Sequence, residues 1–340
     1  MAVSKSSGNI IWQQTLDNNN DLHRKQNDAS PSPVTDGNYV WVVTGTGIVT
    51  ALDMDGNKKW TRNLQKEFGA FGQNWGYASS PLLYHGKLII EVLHGYKTDD
   101  PSYIVAFDAQ NGSTLWRKER PTDALTESPD AYTTPLLMDY QGIKQIIISG
   151  GDYVTGHDPE TGKELWRSAG LNPKKSEHFR IVGTPVTVNG VIYASSRKEP
   201  FLAIQAGGIG GRTESRLLWK WEESGGPDVP SPLTDGTYVY LVNVVGKITC
   251  LDAKSGALIW GPTATRKKSI VSASPILADG KLYILDESGI TSVVQAGKEF
   301  KLLATNELDG SYTLASPTIS ASQIFIRTAQ SLYCIGEQGN

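Results

Sequence analysis

Residues Ser231 to Trp260 read SPLTDGTYVYLVNVVGKITCLDAKSGALIW. The stretch opens on Ser-Pro, turns at Asp235-Gly236, runs through Tyr238–Val242, and runs again from Lys247 to Leu251. After Asp252-Ala-Lys-Ser-Gly256 it closes on Trp260. Each run is short, rich in Val, Ile, Leu and Tyr, and bounded by Gly or Asp turns, so the runs are strands. Four antiparallel strands, A to D, make one unit.

The unit recurs. Its second-position prolines are Pro33, Pro81, Pro135, Pro185, Pro232, Pro275 and Pro317, spaced by 48, 54, 50, 47, 43 and 42 residues. Four strands per roughly 40–50 residues is the signature of a β-propeller. Seven starts, near residues 32, 80, 134, 184, 231, 274 and 316, imply an all-β, seven-bladed β-propeller filling residues 1–340 as one domain. Closing strands are marked by Trp60, Trp116, Trp166, Trp219 or Trp221, and Trp260, with Leu303 substituting in unit six. Unit seven stops at Tyr333-Cys334-Ile335. Asn9-Ile-Ile-Trp12 looks like a closing strand with nothing before it, so residues 9–16 are expected to complete the last blade and close the ring. The tryptophans are read as packing between blades.

Thirty-two basic against thirty-five acidic residues give a formal charge of −3, with no nucleic-acid footprint. No apolar stretch is long enough to span a membrane as a helix. Met1–Gly8 lacks the apolar core of a signal peptide and does not decide the compartment. Cys250 and Cys334 fall at one position of strand C, matched by Ala51, Ala106, Gly156, Ala203 and Val293. Both are expected to be buried free thiols in a slot for small residues.

Loop length is uneven. The stretches 61–79, 117–133 and 167–183 and the enlarged loop His94–Tyr103 are long, polar and aromatic, whereas units five to seven are compact. In this topology D–A and B–C loops emerge on one face, and function concentrates on loops held by a rigid scaffold. Two functions suit that face. One is a non-catalytic binding scaffold for a carbohydrate or protein partner. The alternative is a polysaccharide-active lyase or hydrolase at the channel mouth.

For the enzyme, His178 and Arg180, faced by Asp130 and Tyr132, could neutralise a uronate and remove its α proton. The plainer reading is a hydrated polar rim. For binding, Trp75, Tyr77, His94, Arg197 and Asp228 are the candidates. Trp75 with Phe71 and Tyr77 could stack on a sugar ring, or could pack between blades. His94 with Asp99 and Asp100 could ligate a divalent metal, although the spacing matches no strong motif and an Asp-turned loop reads as well. His157 intrudes at a strand-C position that is apolar elsewhere, and is read as a hydrogen-bonded structural histidine. Gly207-Gly-Ile-Gly-Gly211 is not a phosphate loop, since no Lys-Ser/Thr follows it.

The repeat Ser/Thr-Pro … Ala/Cys-Leu-Asp-x-x-Ser/Thr-Gly-x-x-x-Trp resembles the PQQ-like (pyrroloquinoline quinone-like) propeller repeats. It is carried by Ala106–Trp116, His157–Trp166 and Cys250–Trp260. Such repeats occur in quinoprotein dehydrogenases and in BamB-type outer-membrane assembly lipoproteins. Lys97–Tyr103, Glu127–Pro135 and Pro227–Pro232 resemble more narrowly the exported PQQ-binding-like propeller proteins of unassigned activity, which implies a periplasmic or secreted protein, with a cytoplasmic one left open. The resemblance covers residues 10–336 and implies fold more than function. The quinoprotein enzymes have eight units and adjacent cysteines beside the cofactor. This chain has seven units and no adjacent cysteines, so PQQ and a PQQ-dependent activity are not expected, and no other cofactor is implied.

Overall fold

The computed structural model describes residues 1–23, 25–208, 214–223 and 226–336. The glycine-rich insert at 207–211 falls partly outside them. The chain forms two compact units, residues 1–181 with 206–215, and residues 182–205 with 216–340.

The fold is an all-β seven-bladed propeller of antiparallel sheets. The first unit holds blades one to three, each of four strands in sequence order, and a two-stranded sheet of Ala2–Val3 with Ile10–Trp12. The second unit holds blades four to six, four strands each, and blade seven, of three strands among the described residues. First strands begin at Val34, Leu82, Leu136, Val186, Leu233, Ile276 and Thr318, just after each expected start. The helix of the described residues is Leu64–Phe68, capped by Asn63, whose side chain accepts the Lys66 N–H.

One row of residues crosses each sheet and explains the repeat. In blade five it is Leu233, Tyr240, Cys250 and Trp260; in blade one, Val34, Trp41, Ala51 and Trp60. The strand-C member is small because the indole of strand D needs the space: a Cβ on Gly156 would lie 2.3 Å from the Trp166 ring. Directly after the small residue the C–D pairing slips in every four-stranded blade, a bulge that leaves the residue before the row position of strand D unpaired. Register also settles two positions. Trp219 takes the row in blade four, opposite Ala203. In blade six the row ends on Ala304, opposite Val293, while Leu303 falls in the bulge and is exposed; the expected substitute is therefore Ala304.

The indoles form the seams between blades. Trp60 Nε1 donates to the Ala109 carbonyl at 3.0 Å and Trp219 Nε1 to Ala253 at 3.0 Å, each in the C–D turn of the next blade. Those turns are the Asp-x-x-x-Gly element. Asp108 Oδ1 accepts the N–H groups of Gln110 and Asn111, and Asp252 Oδ1 those of Lys254 and Ser255. The glycine that follows has positive φ, and a Cβ there would strike the neighbouring indole, 2.7 Å at Gly112 and 2.6 Å at Gly256. Trp12 occupies the equivalent seat against blade one. It donates to the Met54 carbonyl at 2.8 Å and lies over Gly56. That is the seat the repeat assigns to a closing strand preceding blade one, although the hydrogen-bonded partner of Ile10–Trp12 is Ala2–Val3.

The Ser/Thr-Pro starts form a second seam. Ser32 N–H donates to Ser80 Oγ, Ser80 N–H to Thr134 Oγ1, Thr184 N–H to Ser231 Oγ, Ser231 N–H to Ser274 Oγ and Ser274 N–H to Ser316 Oγ. Each hydroxyl satisfies an amide that the blade's own ladder leaves without an acceptor. Between these seams the facing sheets bury continuous apolar clusters, such as Trp41, Val43, Leu88, Ile90, Val105 and Phe107. Cys250 is buried as expected. Cys334 is exposed, because its strand is an edge of the three-stranded last sheet.

Candidate functional site

Four loops of the first unit converge, and polar side chains tie them together. The loop after blade one begins with the helix Leu64–Phe68. It then descends so that Phe71 and Tyr77 pack ring to ring at 4.8 Å, with the Tyr77 hydroxyl donated to the Glu91 carbonyl at 3.0 Å. Tyr77 is buried, as is His94 at the end of blade two's second strand. His94 Nδ1 accepts the Gly72 N–H at 3.1 Å, so the ring proton sits on Nε2, 3.3 Å from the Pro101 carbonyl. Burial lowers the His94 pKa and keeps the ring neutral.

Asp130 is the tether. Fully buried, it accepts the Asn74 N–H on Oδ2 at 2.7 Å and the Gly95 and Tyr96 N–H groups on Oδ1 at 3.0 and 3.1 Å. One carboxyl therefore joins the loops 64–79 and 93–102 to its own. Burial pushes it up to about 7, against the pull of those three amides. The Tyr132 hydroxyl accepts the Trp75 N–H at 3.1 Å, and burial drives its pKa far up. The fourth loop is bound by backbone: Glu127 N–H donates to Glu177, Tyr132 N–H to Ile181, and Ile181 N–H to Asp130.

Above this base lies Glu127. Its Oε1 accepts the Trp75 indole N–H at 2.8 Å and the Asn74 amide at 3.3 Å. His178 Nδ1 stands 3.4 Å from Oε2 and Arg180 Nε 3.9 Å from Oε1. Four of the sequence candidates, Asp130, Tyr132, His178 and Arg180, are thus brought together, with Trp75 among them. Their chemistry differs from the elimination set. Asp130 and Tyr132 are occupied by backbone amides, and the Arg180 charge faces a carboxylate of the same chain. Glu127 and Asn74, which hold the cluster, were not singled out in the sequence; the only signal was the density of acids in 117–133.

The remaining candidates have other places and roles. Tyr77 offers no ring face to a ligand, so with Phe71 it belongs to the packing. His94 has both nitrogens engaged inside the fold, away from a metal-ligating role with the exposed Asp99 and Asp100. Among the described residues no group of three or more His, Cys, Asp or Glu side chains is placed to hold a metal ion. Arg197 and Asp228 belong to the second unit, where Arg197 Nε lies 4.0 Å from Asp228 Oδ1. His157 is buried between the Gly162 carbonyl and Thr155 Oγ1, a structural histidine that burial and Arg120 hold down at about 4.

The fold and its seams define a class: a propeller of tryptophan-docked repeats whose decorated loops are locked by buried acids. The family model described as "Outer membrane protein assembly factor BamB" matches residues 1–261 and 209–313. The chain belongs to this family of PQQ-like propellers. It is 23% identical to the outer membrane protein assembly factor BamB of Salmonella typhimurium, across 87% of this chain and 81% of that protein. The crystal structure of BamB from Moraxella catarrhalis superposes with a TM-score of 0.69 at 17% identity, covering 89% of this chain and 83% of that one. The quinohemoprotein alcohol dehydrogenase of Comamonas testosteroni superposes with a TM-score of 0.64 at 12% identity, covering 95% of this chain and 66% of that one. Among the described residues no helix is long and apolar enough to cross a membrane.

Proposed function

We propose that this protein is a non-catalytic scaffold that binds a protein partner in outer-membrane protein assembly, on the periplasmic side, through the loop cluster of its first unit. The observation that carries the reading is the Trp75–Glu127–Arg180 arrangement. Trp, Tyr and Arg dominate the energetics of protein interfaces. Here Trp75 and Arg180 are part-buried, His178 and Tyr96 are exposed, and all four stand on loops pinned by Asp130, Tyr132 and Glu127. A rigid platform loses little entropy on association. The names of the relatives, assembly factors of outer membrane proteins, supply the partner class. The proposal involves no cofactor and no bond-making step. A carbohydrate occupant has less support, since two of the three aromatic rings proposed for stacking pack on each other.

The test places a photo-crosslinking residue at Tyr96, with Tyr84 in the blade-two sheet as control, in cells that depend on this protein. A specific protein adduct from Tyr96 alone is expected, and it should disappear in Trp75→Ala and Arg180→Glu variants whose melting temperature is unchanged. Adducts of equal yield from both positions, or adducts indifferent to the two variants, would place the partner elsewhere.

A further inference from the structure

In the second unit, loops of successive blades carry exposed apolar side chains beside cations that form no ion pair among the described residues. The turn Asn243–Gly246 of blade five presents Val245, 54% exposed. It is zipped to the loop that follows the blade: Val271 N–H donates to the Val244 carbonyl at 3.0 Å, and a Cβ on Gly246 would meet Ser269 Cβ at 2.8 Å. Ile270, in that loop, is also 54% exposed. The ladder continues as Glu287 N–H donates to the Ile270 carbonyl and Thr313 N–H to the Glu287 carbonyl, which fixes Tyr312, 46% exposed, at the next blade. These backbone bonds make Val245, Ile270 and Tyr312 one strip.

The same loop contains Arg266-Lys267-Lys268, the one run of three consecutive Lys or Arg residues in the sequence. Arg266 is spent on Asp286, an ion pair that Ser269 joins. The other nearby carboxylate, Glu287, accepts the Ser272 hydroxyl at 2.5 Å and meets the Tyr312 hydroxyl. Lys267 and Lys268 are exposed and form no ion pair among the described residues. Two aliphatic loop tips, an aromatic ring with a polar end and two free ammonium groups are the composition that inserts at a bilayer interface: apolar tips enter the boundary of headgroup and acyl chain, tyrosine sits at headgroup level, and lysines lie among phosphates. We propose that this strip is a docking surface for an anionic lipid bilayer. The charge is local. The whole chain carries −3, so attraction to such a surface has to come from a local patch such as this strip and not from net charge.

The test is co-sedimentation of the full chain with vesicles of phosphatidylcholine, with and without phosphatidylglycerol. Binding is expected only with the anionic lipid and should weaken with added salt. Lys267→Ser with Lys268→Ser should weaken it roughly 30-fold. Val245→Ser with Ile270→Ser should weaken it on the order of tenfold, by removing apolar area that would otherwise leave water. Lys254→Ser with Lys301→Ser removes the same charge elsewhere and should leave binding unchanged. Circular dichroism of each variant reports that the fold is intact. The proposal is overturned by absence of binding to anionic vesicles, by equal loss from the control pair, or by a protein partner that occupies the strip while vesicles do not bind.

Discussion

Glu91 offers the sharpest test of how this fold tolerates a buried acid. It lies on Lys87–Val92, the second strand of blade two, and is fully buried. The register places Val43, Val242 and Leu285 at the same position of blades one, five and six, and Ser149, Ser195 and Arg327 at that of blades three, four and seven, so Glu91 is the one carboxylate in a slot of mixed polarity. Its Oε1 lies 2.9 Å from Thr133 Oγ1, and that hydroxyl also lies 2.6 Å from the Ser149 carbonyl. A carbonyl can only accept, so the single Thr133 proton goes to Ser149. A protonated Glu91 carboxyl that donates to Thr133 Oγ1 then satisfies all three groups with the protons at hand. Burial agrees, pushing the Glu91 pKa from 4.5 up to about 8, although Arg120 pulls the other way. The folded pKa of this acid is raised, so between pH 4.5 and 8 the folded state holds a proton that the unfolded chain has released. Stability therefore falls as pH rises through that window and levels off above it. At about 1.4 kcal/mol per pKa unit, the cost of ionisation above pH 8 is on the order of 5 kcal/mol, comparable to the whole stability of many domains. Glu91→Gln keeps the shape and the donor without the charge. Urea unfolding followed by tryptophan fluorescence from pH 5 to 9 should show the variant close to wild type at pH 5 and more stable by several kcal/mol at pH 9. Parallel curves, or a variant less stable at pH 9, would mean that Glu91 is ionised and stabilised by Arg120, and the reasoning would fail.

Other outcomes follow from the seams and tethers. Gly256→Ala should destabilise by about 1–3 kcal/mol in chemical denaturation, because its Cβ would lie 2.6 Å from the Trp219 ring at a φ of +73°; Gly86→Ala, also at positive φ but with open space around it, separates the steric cost from the backbone cost. Asp130→Ala removes the acceptor of three amides, and hydrogen exchange at Asn74, Gly95 and Tyr96 should accelerate while blade five keeps its protection. If residues 1–340 are one cooperative domain, calorimetry should give a single transition with equal calorimetric and van't Hoff enthalpies; two resolved transitions would separate the two compact units.

Much of the fold was written plainly. The Ser/Thr-Pro pairs and the Asp-x-x-x-Gly…Trp element were visible as repeats, and the structure supplies their reason: one hydroxyl for a neighbouring amide, one glycine for a neighbouring indole. Where a motif had a local partner, the sequence located it. Where geometry intervened, it did not. The bulge shifts the tryptophan row by a residue, so Leu303 looked like the substitute in blade six and Ala304 takes the place. Cys334 sits in the same slot as Cys250, but its sheet has no fourth strand among the described residues, so it is exposed. The loop cluster was half legible. Asp130, Tyr132, His178, Arg180 and Trp75 do converge. Their roles were hidden, because the groups that occupy Asp130 and Tyr132 are backbone amides from loops distant in sequence, which no side-chain pattern announces. Tyr77 and His94 looked available for the same reason: each hides its polar atoms against a neighbouring loop or strand.

The tryptophan–glycine seam has a consequence for how such chains are lengthened or shortened. A complete repeat offers one indole forward and one turn glycine backward, whereas blade six, with Ala304 in the row, offers no indole. A duplication or deletion cut at the Ser/Thr-Pro starts of two complete repeats therefore leaves the indole at the joint facing a glycine of the right kind. The joint is the same at Trp12 over Gly56, Trp60 over Gly112, Trp116 over Gly162 and Trp219 over Gly256. Recombination between repeats can change the number of blades without inventing a new contact. The loops, which take no part in the seam, are then free to diverge one blade at a time.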